Sequence, residues 1–223
     1  MTGQATPLFD SDEVLTLILR GDLKNAFRDR KDNSAYYNAS LIYQEDSDSL
    51  VVPVRIKTRG HFRKKSSNCN YPPLLLNFSK SQPRDGTLFQ EQDRLKLVTP
   101  CQDDAYVINE YLVYRLYNLM TPKSFRARLV RMIYQDTIKN RASDAYYGIL
   151  LKDEKLMGKR NASKPIKTKN LPKLGIPQED YLKMAVFQYM IGNTDWSIEY
   201  LQNIKLITED AKSLPIAVPY DFD

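Results

Sequence analysis

Residues 50–59, L-V-V-P-V-R-I-K-T-R, alternate apolar and charged side chains. A period of two places Val52, Val54 and Ile56 on one face of a strand and Arg55, Lys57 and Arg59 on the other. Pro53 cannot donate to a ladder, so it puts this strand at an edge or a bulge. The neighbours repeat the theme. Val14–Leu19 and Tyr36–Tyr43 read as strands, the second joined to 50–59 by the polar turn Q-E-D-S-D-S. Leu74–Phe78 and Leu95–Thr99 are two more, and Leu23–Asp29 is a short helical or irregular piece. The first hundred residues are expected to form one antiparallel sheet.

The pattern then changes. Asp103–Leu119 reads as a helix capped by Asp103 or Asp104, with Val107, Tyr111, Tyr114 and Leu116–Leu119 as its buried stripe. T-P-K-S ends it. Arg126–Asp136 and Ala145–Asp153 form a hairpin pattern, and Lys159–Leu174 is basic, poor in apolar residues and expected to be a mobile surface segment. Pro177–Ile191 is a second helix, with Leu182, Ala185, Val186, Tyr189 and Met190 at helical spacing. This order predicts an α+β chain in two lobes, a β-rich one over 1–120 and a mixed one over 121–223.

The last 34 residues place polar side chains at the ends of apolar runs. Asp195 follows a helical pattern, Asn203 opens the run Ile204–Thr208, and Asp221 closes Leu214–Tyr220. Singly, N-T-D is a turn or helix cap and a terminal D-F-D an acidic chain end. Together, two carboxylates and an amide on short loops can hold Mg²⁺ and phosphates, since Mg²⁺ takes hard oxygen ligands and few protein carboxylates.

Bulk properties restrict the alternatives. The 223 residues suffice for a substantial core, and 42% hydrophobic with 27% charged residues describes an ordinary globular chain. No apolar run reaches the roughly 20 residues that span a bilayer. The net charge of +6 suits an anionic ligand or an acidic protein, whereas a nucleic-acid binder more often carries a concentrated basic stripe. One histidine, His61, and two cysteines without a C-x-x-C pair argue against a zinc site. Cys69 and Cys101 would form a disulfide in an oxidising compartment and two buried thiols in a reducing one. The first residues, M-T-G-Q-A-T-P, lack the features of a signal peptide, and both chain ends read as boundaries of a fragment.

The stretches K-T-R-G-H-F-R-K-K (57–65), L-K-L-V-T-P-C (95–101), N-E-Y-L-V-Y-R-L-Y (109–117), Y-G-I-L-L-K-D-E (147–154), G-N-T-D-W-S (192–197) and V-P-Y-D-F-D (218–223) resemble the CotH-type (spore-coat protein H-like) atypical protein kinases, with a more distant likeness to HipA-like kinases. The likeness covers most of residues 50–223. It implies a two-lobed, kinase-like fold with a truncated C-terminal lobe, and transfer of the ATP γ-phosphoryl group to a Ser or Thr hydroxyl of a protein. It implies Asp195 as the catalytic carboxylate, and Asn203 and Asp221 as ligands of Mg²⁺ or Mn²⁺. Lys96 would bind phosphate and Glu110 would pair with it. Arg59 would reach a phosphate, although the basic run 59–65 can also be a docking patch for an acidic partner or a solvated hairpin tip. Family members of this kind are secreted or envelope proteins, so the implied compartment is extracytoplasmic if a leader has been removed and cytoplasmic otherwise. The chain departs from ordinary kinases in lacking G-x-G-x-x-G and H-R-D, and in placing Asn203 eight residues beyond Asp195. A non-catalytic kinase-fold scaffold for envelope or coat assembly is the competing expectation, and a nucleic-acid partner the weakest.

Overall fold

The computed structural model describes residues 7–79, 81, 84–101, 103–168, 170–171 and 175–222. Asp223, the last residue of the acidic terminal motif, lies outside them. The chain is α+β and divides into two compact units, residues 1–108 with 127–151 and residues 109–126 with 152–223.

The first unit is a closed seven-stranded barrel. Its strands are β1 (Leu15–Gly21), β2 (Tyr37–Glu45), β3 (Asp48–Thr58), β4 (Leu74–Asn77), β5 (Arg94–Val98), β6 (Ala127–Asp136) and β7 (Arg141–Lys152), in the order β1-β2-β3-β4-β5-β7-β6. The five strands of the first hundred residues pair antiparallel in sequence order, as expected, and β6 and β7 extend that sheet until β1 runs parallel to β6, from Leu15 opposite Val130 to Gly21 opposite Asp136. That pairing joins the two edges of the sheet and removes both of them. Pro53 sits in the part of β3 that pairs with β2 alone, because β4 joins only from Arg55 onward. Its missing N–H therefore costs no ladder bond. Alternation fills the interior with Leu17, Leu19, Leu41, Val52, Val54, Ile56, Leu74, Leu76, Leu95, Leu97, Val130 and Met132. Each such side chain contributes about 1.5–3 kcal/mol of burial. Gly148 lies where β7 passes β5, and a Cβ there would stand 3.0 Å from the Val98 carbonyl oxygen. Helix α1 (Leu23–Arg28) follows β1 and is capped by the Asp22 carboxylate.

The basic run 59–65 is held down rather than solvated throughout. Lys64 is buried, its Nζ donating to the Lys31 carbonyl at 2.6 Å and the Asp32 carboxylate at 3.1 Å. The Arg30 guanidinium donates to the carbonyls of Phe27, Lys64, Cys69 and Asn70. Cys69 and Cys101 are joined by a disulfide, which ties this loop to the segment after β5.

The second unit holds most of α2 (Asp104–Met120), with α3 (Glu154–Arg160), α4 (Gln178–Met190) and a three-stranded antiparallel sheet of order β10-β9-β8. The sheet strands are β8 (Lys164–Ile166), β9 (Ile204–Thr208) and β10 (Ile216–Pro219). The segment expected to be a mobile surface stretch thus contributes part of α3 and all of β8. Tyr111, Tyr114 and Tyr117 of α2 are buried, whereas Leu116 and Leu119 are exposed, contrary to the expected stripe. On α4 the difference is larger. Met184, Phe187 and Gln188 face inward, and Leu182, Val186, Tyr189 and Met190 are exposed, Tyr189 by 88%. The aromatic ring of Phe187 selects that face, packing 4.8 Å from Tyr117 and 6.0 Å from Phe222.

Candidate functional site

Asp195 lies on the loop between α4 and β9. Trp196 and Ile198 pack into the core of the second unit with Met184, Ile204 and Leu206, which anchors the loop on the C-terminal side of Asp195. A backbone bridge between Ser197 and Gln202 (N···O 3.0 and 2.9 Å) folds residues 197–202 back on themselves. That excursion takes up the eight-residue spacing and returns Asn203 to Asp195. The Asn203 Nδ2 donates to the Asp195 carboxylate at 3.0 Å and to its carbonyl at 2.8 Å. The Gln202 Nε2 donates to the other carboxylate oxygen. Two amides therefore orient one exposed carboxylate, and the Asn203 donor end is used while its carbonyl oxygen is the end a cation would take.

Asp221 reaches the same end of the sheet by register. Pro219 pairs with Ile204, and the Tyr220 N–H donates to the Asn203 carbonyl at 3.0 Å. Asn203 and Asp221 hold positive φ, +50° and +64°, as does Leu201 at +54°. Non-glycine residues in this region are uncommon, and such strain clusters at functional sites. The next side chain fixes the turn: the Phe222 ring lies 4.8 Å from that of Tyr114. The Asp221 N–H donates to the Tyr114 hydroxyl at 2.9 Å.

Glu110 and Tyr114 are four residues apart on α2, hence on one face. Glu110 is 2% exposed, which separates it from an ordinary surface helix carboxylate. Burial, then the carboxylates of Glu110 and Asp221, push the Tyr114 hydroxyl well above the usual tyrosine range. Tyr114 thus stays protonated at neutral pH, and its hydroxyl accepts the backbone N–H of Asp221. Sequence reasoning used Tyr114 only as core and passed over Gln202. The signals were the i, i+4 spacing to Glu110 and the amide directly before Asn203.

Lys96 belongs to the first unit and Glu110 to the second. Lys96 is on the outer face of the barrel, opposite Leu75, which is in turn opposite Lys57. Lys57 is a second ammonium in that row, with its Nζ 4.9 Å from the Tyr36 ring centre. Arg59 follows the end of β3, its N–H bonded to the Pro73 carbonyl, and Gly60 turns the chain at φ +85°.

Among the described residues no three His, Cys, Asp or Glu side chains cluster as a metal cage. The donor set at the end of β9 and β10 is instead one or two carboxylates and an amide oxygen. Carboxylate and amide oxygens are the donor types that Mg²⁺ takes, while it keeps several positions for water and phosphate. Beside the same loop a pocket of about 820 Å³ is lined by Asn193, Thr194, Trp196 and Ser197 together with Leu171 and Tyr189. No helix among the described residues is long and apolar enough to cross a membrane. No protein-family model matches the chain, and no curated protein matches it either.

Proposed function

We propose that the chain is an atypical, CotH-like kinase of two-lobed, protein-kinase-like fold that transfers the γ-phosphoryl group of ATP to a Ser or Thr hydroxyl of a protein. The observation that carries this reading is the convergence of Asp195, Asn203 and Asp221 at one end of the β9–β10 ladder. Bound Mg–ATP would supply the transferable phosphoryl group and the neutralisation of its charge. Asn203, through its carbonyl oxygen, and Asp221 would hold the ion. Asp195, oriented by Gln202 and Asn203, would accept the proton of the acceptor hydroxyl. The pocket beside Trp196 is a site for the residues flanking that hydroxyl. The Cys69–Cys101 disulfide fits an oxidising, extracytoplasmic setting.

Calorimetric titration with Mg–ATP or Mn–ATP tests the reading. Binding is expected for the parent chain and is lost in Asp221→Asn with the fold retained. Retained binding in that variant would remove Asp221 from the site. Asp195→Ala is expected to bind nucleotide yet fail to transfer phosphate, and equal transfer rates would refute its role. A second reading, a non-catalytic scaffold of the same fold, is favoured by the exposed apolar face of α4 formed by Leu182, Val186, Tyr189 and Met190. Phosphate turnover on any protein substrate decides against it.

A further inference from the structure

The barrel carries a second cavity that the proposed phosphotransfer does not use. It lies at the end where β1 and β6 finish and β7 begins, and it measures about 630 Å³. Its wall is aromatic. The Tyr71 ring stacks on Tyr134 at 4.8 Å and 21°, and Phe27 meets both edge-on at 5.9 and 5.4 Å. Its rim is cationic: Lys24, Arg28, Lys139 and Arg141 line it against one carboxylate, Asp136. That carboxylate is engaged by the backbone N–H groups of Lys24 and Lys139. Arg30 is engaged by backbone carbonyls and stiffens the wall.

Tyr134 lines this cavity and is 4% exposed, and its hydroxyl is buried with no hydrogen-bond partner among the described residues. A buried hydroxyl without a partner is disfavoured, and each native instance asks for a reason. Barrel mouths are common sites for small ligands, in cavities of about 300–1,000 Å³ walled by rings with a few convergent polar groups. The volume suits a small compound, the rings a flat one, and the surplus of cations an acidic one.

We propose that this end of the barrel binds a small planar aromatic compound carrying an acidic group, phosphate or carboxylate. The ring inserts against Tyr71 and Phe27, and the acidic group meets Arg141 and Lys139 at the rim.

The test is an amide NMR titration of the whole chain with phenyl phosphate and separately with benzoate, with benzyl alcohol and inorganic phosphate as controls. Saturable shifts at Tyr71, Tyr134 and residues 139–143 are expected, separate from those at Asp195 and Asn203. A response to only one of the two anions supports the site and identifies its acidic group. Arg141→Ala, an exposed position, is expected to weaken binding about ten- to a hundredfold, as the loss of a charged hydrogen bond does. Tyr134→Phe is expected to raise the melting temperature of the free protein. The proposal is overturned if neither aromatic anion gives saturable shifts at these residues. It is equally overturned if inorganic phosphate binds as well as phenyl phosphate, or if Arg141→Ala binds unchanged.

Discussion

Asp221 carries two burdens, a carboxylate and a backbone at φ +64°. The left-handed conformation costs a non-glycine residue about 1–2 kcal/mol. The variant Asp221→Gly separates the two. Glycine relieves the strain while loosening the unfolded chain, so denaturant unfolding is expected to place its stability within about 1 kcal/mol of the parent. Mg-dependent nucleotide binding is expected to vanish all the same. A drop of several kcal/mol would show that the side chain serves the fold instead. Gly148 is the opposite case, a position where any side chain collides. Gly148→Ala would press a Cβ against the Val98 carbonyl oxygen at 3.0 Å and the Leu97 side chain at 3.2 Å. Overpacking of this kind costs about 1–3 kcal/mol, which a urea midpoint would report.

At the scale of elements, α2 and α4 grip the residue after Asp221. Tyr114, Tyr117 and Phe187 surround the Phe222 ring, and Phe187 is fully buried. Phe187→Ala is expected to cost about 3–5 kcal/mol. Under conditions where this variant remains folded, nucleotide affinity should fall as well, because Phe222 loses a wall. Unchanged affinity would mean that the turn is set by the Tyr114 hydroxyl alone. The loop 59–71 is governed by a different restraint. The disulfide closes a sequence separation of 32 residues, for which loop entropy gives about 3–4 kcal/mol. Reduction is expected to lower stability by that order and to open the loop to proteolysis. Equal cleavage rates before and after reduction would leave Arg30 and Lys64 as its true anchors.

For the molecule as a whole, buried tyrosines set an upper pH limit. Burial first, then hydrogen bonding to Tyr146, pushes Tyr71 up to about 12, and burial also raises Tyr114, Tyr117 and Tyr134. A group whose folded pKa lies above its unfolded value stabilises fully below the unfolded pKa of about 10 and is lost as pH rises through the folded one. Cooperative unfolding is therefore expected between about pH 10 and 12, with tyrosinate absorbance rising in the same step. Tyrosinate formation well before unfolding would contradict this burial. The sequence by itself determined what local chemistry can write. Alternation defined most strands of the barrel, β9 appeared at its observed bounds, and Asp195, Asn203 and Asp221 stood out as polar residues ending apolar runs. It did not decide which face of α4 is buried. Leu182, Val186 and Tyr189 keep helical spacing as well as Met184 and Phe187 do, and only the partner rings Tyr117 and Phe222 choose between them. Nor could it show that β1 pairs with β6, more than a hundred residues away, because register between distant strands is written in no local pattern. The tertiary structure alone brings Gln202 and Asn203 onto Asp195 and sets Tyr114 beside Asp221, since those contacts depend on a loop closing and a ring finding its pocket.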